Sequence, residues 1–199
     1  MTNTGYYIHI SPTTMNPCNI TDEAYAEATQ TWLCTGCVHP KPNVERVDVR
    51  IKNRLLQGPL NFVFGCGLAV ARMSFLARFR EERVKQNLSL GEVFGPNGSR
   101  MEDWVTFRGK HGLIVRGTKH AGNRVCSECG RNIYFAMRPH YLYPQPPASV
   151  EMFESSLCGL IVPEAIAAEV GIGRKIKHVL VERLRVSGEP KDGLPALPF

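Results

Sequence analysis

The sequence contains no long apolar run. No stretch approaches the roughly 18 consecutive apolar residues that a membrane-spanning helix requires. The opening residues, MTNTGYYIHISPTT, also lack the basic-then-apolar order of a secretory signal. Hydrophobic residues make up 43% of the chain and charged residues 21%, which are ordinary values for a globular protein. We therefore expect a cytoplasmic protein with no membrane attachment.

Dense charge of one sign is also missing. Lys and Arg number 24 against 18 Asp and Glu, a formal net charge of +6, yet no five like charges stand in a row. Nucleic-acid-binding surfaces are commonly marked by a denser basic stripe. The net positive charge permits an acidic partner. The Tyr- and Arg-containing segment 131–143 keeps a zinc-ribbon-type nucleic-acid-binding protein as the alternative function.

A disulfide framework is not indicated. The seven cysteines form an odd set, and paired spacing without a secretory signal favours metal binding over disulfides. Four of them form two C-x-x-C pairs, Cys34-Thr35-Gly36-Cys37 and Cys126-Ser127-Glu128-Cys129. Of the three single cysteines, Cys18 falls in a polar loop, whereas Cys66 and Cys158 are expected to be core residues.

The two pairs predict one structural zinc ion. Two thiolates three positions apart reach the same metal when the chain turns tightly between them, and zinc takes four such ligands at about 2.3 Å. The expected ligands are Cys34, Cys37, Cys126 and Cys129. Because four thiolates leave no open coordination position, the site is expected to be structural and not hydrolytic. The 88 residues from 38 to 125 separate the pairs, so the fold has to bring the pairs together.

The local sequence differs between the two turns. Gly130 directly follows the second pair, where a turn that directs backbone N–H groups at sulfur tends to need positive φ. Val38 stands at the equivalent place after the first pair, so a less regular turn is expected there. Two alternatives stay open. His39 or His120 could replace one cysteine as a ligand, or one pair could be a redox C-x-x-C with a reactive thiol.

No catalytic centre is predicted. The glycine-containing stretch 91–98 lacks the Gly-Lys-Ser/Thr of a phosphate-binding loop. Cys66 lies between Gly65 and Gly67 without an identifiable His partner, which favours a core residue over a nucleophile. The pair Glu81-Glu82 fits a solvated helix face. We therefore expect a protein that is not an enzyme.

The pattern of elements predicts an α+β fold with a mixed or mostly antiparallel sheet, few helices and a two-knuckle zinc lobe. Strands are predicted from alternation and β-branched residues in the segments 47–52, 104–107, 113–115, 132–137 and 179–186. Helices are predicted from apolar periodicity and end signals in the segments 22–32, 74–85 and 163–170. Two glycines in 59–70 predict a tight turn into a helix, and 138–147 is expected to be a Pro- and Tyr-rich connector.

One domain is expected over residues 1–187. The knuckles at 34–37 and 126–129 would bracket an inserted subdomain at 38–125. The remaining segment, 188–199, holds three prolines and two glycines, so an irregular tail is expected there.

The order of these features resembles the double-CxxCG-motif proteins abundant in myxobacteria, some of which are named immunity proteins for toxins exchanged between kin cells. The likeness covers roughly residues 30–187. It is carried by the first C-x-x-C, the long middle, the run from Cys126 to Arg131 and the apolar run Gly159-Leu160-Ile161-Val162-Pro163-Glu164. The chain departs from the pattern at Val38, where the family has Gly. The resemblance implies metal ligands at the four paired cysteines and a small cytoplasmic protein that binds a partner, such as a cognate toxin.

Overall fold

The computed structural model describes residues 5–13, 18–52, 56, 58–64, 66–173, 176–197 and 199, with the side chains of Cys18 and Phe64 outside the description. Its strands, in chain order, are β1 (Tyr6–Pro12), β2 (Cys18–Asn19), β3 (Val49–Arg50), β4 (Leu60–Phe64), β5 (Leu68–Arg72), β6 (Leu88–Phe94), β7 (Arg100–Gly109), β8 (Gly112–Leu113), β9 (Val115–Val125), β10 (Asn132–Leu142), β11 (Phe153–Ser155), β12 (Leu160–Pro163) and β13 (Val179–Val186). Its helices are α1 (Asp22–Thr31), α2 (Met73–Leu76), α3 (Glu81–Asn87) and α4 (Glu164–Glu169). Among the described residues, no helix has both the length and the apolar character needed to cross a membrane.

The strands form two mixed sheets. The larger sheet has the order β8-β11-β12-β1-β13-β10-β9, and the smaller one has the order β2-β4-β5-β7-β6-β3. Most neighbours are antiparallel, whereas β10–β13, β11–β8, β2–β4 and β3–β6 are parallel. The predicted α+β fold, with a mostly antiparallel mixed sheet and few helices, is confirmed.

The hydrophobic core lies on both faces of the smaller sheet. Successive side chains of a strand point to opposite faces, and β5 is apolar on both. Ala69 and Ala71 belong to the cluster shared with β1, β12 and three helices. Leu68 and Val70 face a second cluster, which packs beneath α1. A strand that is buried on both faces has a continuous apolar sequence. This explains why β5 lacks the alternation of apolar and polar residues that marks a half-buried strand.

The tight turn in the segment 59–70 was predicted to lead into a helix, and this was wrong. The turn leads into strand β5, so the segment is part of a hairpin. Strands β4 and β5 pair over Leu60–Ala71, and the first helical residue is Met73. Gly67 has a φ of +58°, which fits the expected tight turn. Gly65, the other glycine behind that prediction, lies outside the described residues.

The predicted helix at 74–85 is two helices, because its residues have incompatible environments. In one continuous helix Phe79 and Arg83 would share a face, four residues apart. Phe79 is buried in the apolar core, whereas Arg83 forms ion pairs with Glu151 at 2.8 Å and Glu169 at 3.2 Å. The extended backbone of Arg80, with ψ of 138°, separates α2 from α3 and satisfies both side chains.

Several local predictions are confirmed and two need correction. The helix predicted over 22–32 is α1, and Thr21 caps it because the Thr21 hydroxyl oxygen accepts the Ala24 N–H at 3.2 Å. The strand predicted over 179–186 is β13. The strand expected over 47–52 is reduced to Val49–Arg50. The connector expected from 138 onward begins only after Leu142, where β10 ends.

His9, in the centre of the larger sheet, gives a pH-dependent prediction. It is only 1% exposed, and burial lowers its pKa to about 4, although the Glu182 carboxylate opposes this. The unfolded chain takes up this proton near pH 6.5, so the stability from neutral His9 is lost as pH falls from about 6.5 to 4. The His9→Phe variant should lose less stability than the natural chain over this range, by roughly 2–4 kcal/mol. Urea unfolding at several pH values measures the difference. The same substitution at the exposed His111 is the control. If the free energy of unfolding depends on pH equally in His9→Phe and in the natural chain, the prediction is contradicted.

Candidate metal centre

The two cysteine pairs lie at the ends of secondary-structure elements. The first pair follows α1, and an isolated bridge between Leu33 and Pro40 closes the chain around it. The second pair is the turn that joins β9 to β10, the two long strands at one edge of the larger sheet. The site therefore attaches the tip of a strand ribbon to the end of a helix.

The four cysteine sulfurs converge as predicted. The Sγ atoms of Cys34, Cys37, Cys126 and Cys129 all lie within 4.8 Å of one another. The Sγ atoms of Cys34 and Cys126 are 3.7 Å apart, and those of Cys37 and Cys129 are 3.6 Å apart. Four sulfurs bound at about 2.3 Å around one ion would be separated by roughly 3.8 Å, whereas a disulfide requires about 2.05 Å. The donor set thus fits one structural metal ion.

Both knuckles have the same backbone hydrogen bonds, so the expectation of a less regular first turn was wrong. Val38 N–H donates to the Cys34 carbonyl at 2.8 Å, and Gly130 N–H donates to the Cys126 carbonyl at 2.9 Å. The Cys34 N–H donates to the His39 carbonyl, and the Cys126 N–H donates to the Arg131 carbonyl, each at 2.9 Å. Val38 even adopts the left-handed conformation, with φ of +58°, beside +73° for Gly130. A β-branched residue there costs about 1–2 kcal/mol, which the surrounding structure offsets.

Glu128, within the second knuckle, connects the two turns directly. Its Oε2 accepts hydrogen bonds from the Thr35 hydroxyl at 2.7 Å and from the Gly36 N–H at 2.9 Å. A Cβ on Gly36 would lie 2.7 Å from Glu128 Oε1, so the absence of a side chain permits the approach. These donors lower the pKa of Glu128. Sequence spacing gave no sign of this contact, because the partners are more than 90 residues apart.

The thiols differ in acidity. Backbone N–H groups of Cys129 and Glu128 lower the pKa of Cys126 to about 7. Burial raises the pKa of Cys34 and of Cys37. Metal binding must therefore displace protons from Cys34 and Cys37 at neutral pH, so the affinity of the site falls as pH decreases. The low pKa of Cys126 is the property that a redox thiol would need, but its side chain is buried beside the three other sulfurs.

The histidines considered as ligands do not belong to this cluster. The four cysteines alone make up the metal-competent group found among the described residues. The Nδ1 atom of His39 lies 2.7 Å from the Cys37 carbonyl oxygen. The His120 ring stands 5.5 Å from the ring of Tyr134. His39 thus orients the backbone of the first knuckle, and His120 packs on the ribbon.

Two of the single cysteines and the acidic pair noted in the sequence lie in the core or on an exposed helix face. Cys66 is fully buried in the second apolar cluster. Cys158 packs at the edge of the first core, in a turn with φ of +62°. Glu81 pairs with Lys85 on the exposed face of α3, as expected for a solvated helix face.

The segment 188–199 contains no helix or strand among its described residues, yet it is firmly anchored. Asp192 accepts hydrogen bonds from Arg116 Nε at 2.8 Å and from the Tyr134 hydroxyl at 2.7 Å. Arg116 also donates to the carbonyls of Leu194 and Pro195. The segment thereby packs against β9 and β10, the strands that end at the second knuckle.

Replacing Glu128 tests its role as the connection between knuckles. Glu128→Ala removes the acceptor for two donors of the first knuckle, so metal should be lost to a competing chelator roughly 10-fold faster than from the natural chain. Glu128→Gln keeps an acceptor oxygen and should retain most of the metal. Release monitored with a colorimetric chelator measures both rates. Equal rates for Glu128→Ala and Glu128→Gln would contradict the assigned role.

Comparison with protein-family models yields no match for this chain, and comparison with curated proteins finds no matching relative.

Proposed function

We propose that this chain is a non-enzymatic binding protein, stabilised by one zinc ion and directed at a protein partner. Zinc suits a closed set of four thiolates, where it has a structural role. Iron is the other metal that four tetrahedral sulfurs accommodate. Elemental analysis of freshly purified protein should give one zinc per chain, whereas iron would colour the protein and correct the identity of the metal.

The observation that carries the binding proposal is the surface of the β9–β10 ribbon. Phe135 is 56% exposed and Met137 is 49% exposed, and as neighbours two apart in β10 they share one face. Their face also holds Arg124, opposite Ile133, and Lys119, opposite Met137. Exposed apolar side chains flanked by cations suit a partner with an apolar anchor and acidic surroundings.

The edge of the sheet adds a second mode of contact. β9 is the last strand of the larger sheet, and among the described residues its strand partner is β10 alone. Its outer backbone groups can therefore pair with an extended segment of another protein. The metal centre fixes the tip of the ribbon, which lowers the entropy lost when a partner binds.

The resemblance to double-CxxCG-motif proteins specifies the partner. On that basis, the chain is an immunity protein that neutralises a cognate bacterial toxin by direct binding, in the cytoplasm. Its net charge of +6 favours an acidic toxin surface.

Co-expression with toxins encoded beside the gene tests this function. The natural chain should restore growth and co-purify with one of them. The double variant Phe135→Ser, Met137→Ser should lose at least 10-fold in affinity, whereas Leu180→Ser, at an exposed apolar residue of β13, should not. Failure to bind or neutralise any neighbouring toxin would exclude immunity. Full binding by the double variant would place the interface elsewhere.

Nucleic-acid binding is the alternative function, and its structural support is weaker. Tyrosines stack on bases only where their rings are exposed, whereas Tyr134 and Tyr141 of the segment 131–143 are 6% and 4% exposed. Their hydroxyls contact the 188–199 segment. Salt-sensitive binding to DNA or RNA would favour this alternative over a protein partner.

A further inference from the structure

An open groove lies at the end of the β4–β5 hairpin away from its turn. It has a volume of about 720 Å³ and is lined by three parts of the chain: the start of the hairpin, helix α2 with the residues that flank it, and the residues that precede β13. Four basic residues line it, Arg72, Arg78, Lys177 and His178, and its described lining contains no acidic residue. The groove therefore has a positive potential at neutral pH.

The positive charge of the groove is not neutralised within the chain. The described residues include all 18 acidic residues of the sequence, and among them none forms an ion pair with the four basic residues of the groove. Arg78 and Lys177 are both exposed. Arg80, only two residues after Arg78, does have such a partner, because it pairs with Glu169 at 2.9 Å. Unpaired cations around one concave surface attract a ligand of opposite charge.

The walls of the groove are held in place by contacts that meet at Gly58. Arg72 Nε donates to the Gly58 carbonyl at 3.1 Å, and Arg72 Cζ lies 4.8 Å from the centroid of the Trp104 ring. His178 packs directly on Gly58, where an added Cβ would lie 2.5 Å from the His178 Cβ. The φ of His178 is +64°, a conformation that is uncommon outside glycine and persists where the surrounding structure holds it. Fixed walls lower the entropy lost when a ligand binds.

The lining favours an acidic peptide over nucleic acid. Proteins that hold single-stranded nucleic acid stack its bases on exposed aromatic rings. Phe75, which alone represents Phe, Tyr and Trp in the described lining, is 2% exposed, and Trp104 beside Arg72 is 6% exposed. Pro59 and Ile176 are half-buried and give the lining an apolar part. This combination suits a peptide that carries an aliphatic side chain among its carboxylates.

We propose that this groove binds an acidic peptide segment of a partner protein. Its carboxylates lie beside Arg72, Arg78 and Lys177, and an apolar side chain packs against Pro59 and Ile176. The inference rests on the proposed function only in taking the partner to be a protein. The groove shares no residue with the ribbon face, so it is a second contact surface that can be tested without any toxin.

The competing explanation is a solvated basic surface without a ligand, since Lys and Arg are ordinarily exposed on proteins. On this explanation an acidic peptide responds only to the net charge of the chain. Any two exposed cations would then contribute equally to its binding. Variants that change the charge equally at different places separate the two explanations.

Fluorescence anisotropy of a labelled peptide rich in Glu and Asp, with a single Leu, measures binding to the zinc-loaded chain. Binding should be detectable at low salt and should weaken as the chloride concentration rises. The double variant Arg78→Glu, Lys177→Glu should weaken it at least about 10-fold. The matched control is Arg185→Glu, Lys191→Glu, which changes the net charge equally at two exposed residues outside the groove. It should bind within about 3-fold of the natural chain.

Equal weakening by the two double variants would overturn the proposal, and so would the absence of peptide binding at low salt. A labelled single strand of DNA with the same charge is the second probe. If it binds more tightly than the peptide and loses binding in Arg78→Glu, Lys177→Glu, the groove belongs to nucleic acid and the proposal is wrong.

The ribbon variant Phe135→Ser, Met137→Ser separates this proposal from the proposed function. It should bind the peptide like the natural chain, whatever its effect on a toxin. Loss of peptide binding in the ribbon variant, with the groove variant unaffected, would place the peptide on the ribbon and overturn the assignment to the groove.

Discussion

Cys126→Ser should abolish stoichiometric metal binding and lower the free energy of unfolding by several kcal/mol. The four sulfurs lie between the end of α1 and the tip of the β9–β10 ribbon, so a metal bound there would connect two parts of the chain that 88 residues separate. Because the assembled site does not exist in the unfolded chain, metal-binding free energy becomes folding free energy. Elemental analysis together with thermal unfolding measures both effects.

The matched control is Cys158→Ser. Cys158 is a partly buried cysteine outside the cluster, so its variant should keep one metal per chain and lose much less stability. A chelator should lower the melting temperature of the natural chain and of Cys158→Ser, but leave Cys126→Ser unchanged. A Cys126→Ser protein with normal metal content and melting temperature would refute the assignment of the site.

Asp192→Ala should destabilise the protein by about 3–5 kcal/mol, because it leaves a buried guanidinium without its counter-charge. The side chains of Arg116 and Asp192 are both fully buried, at 0% exposure. The double variant Arg116→Met, Asp192→Leu removes both charges and should recover much of the loss. The exposed pair Glu81–Lys85 is the control, and Glu81→Gln there should leave the free energy of unfolding nearly unchanged, because solvent screens the pair.

The Arg116–Asp192 pair also makes the stability of the protein depend on pH in acid. Burial alone would raise the pKa of Asp192, but hydrogen bonds from Arg116 and Tyr134 outweigh it and lower the pKa to about 2. The ordinary pKa of Asp is near 3.8. A depressed folded-state value means that the stabilisation is complete above pH 4 and is lost as pH falls towards 2, by about 2–3 kcal/mol. Asp192→Asn should remove this part of the acid dependence. An unchanged pH profile for Asp192→Asn would contradict the prediction.

The regularity of the first knuckle could not be predicted from residue identity. Val38 disfavours positive φ intrinsically, yet it adopts this conformation with the same hydrogen bonds as Gly130. The geometry that brings Cys34 and Cys37 to one side outweighs the local preference of one residue. This is why a departure from the CxxCG pattern does not disturb the ligand set.

The break between α2 and α3 was likewise hidden from periodicity. Phe75, Leu76 and Phe79 have helical spacing, and local pattern predicts one continuous helix through 85. Only the tertiary positions of Glu151 and Glu169 reveal that Arg83 needs a different direction from Phe79. The tertiary contacts of Phe79 and Arg83 therefore determine where the backbone leaves the helical conformation.

The sequence by itself determined which four cysteines form the candidate metal centre, because C-x-x-C spacing is a local constraint that two short turns satisfy alone. It also determined the α+β class, through runs whose period is set by strand or helix geometry. Tertiary structure alone decided that the pairs meet, that Glu128 joins the knuckles and that Asp192 is buried against Arg116. These contacts connect residues 76 to 94 positions apart, and burial, charge pairing and chain closure between such distant residues depend on the whole fold.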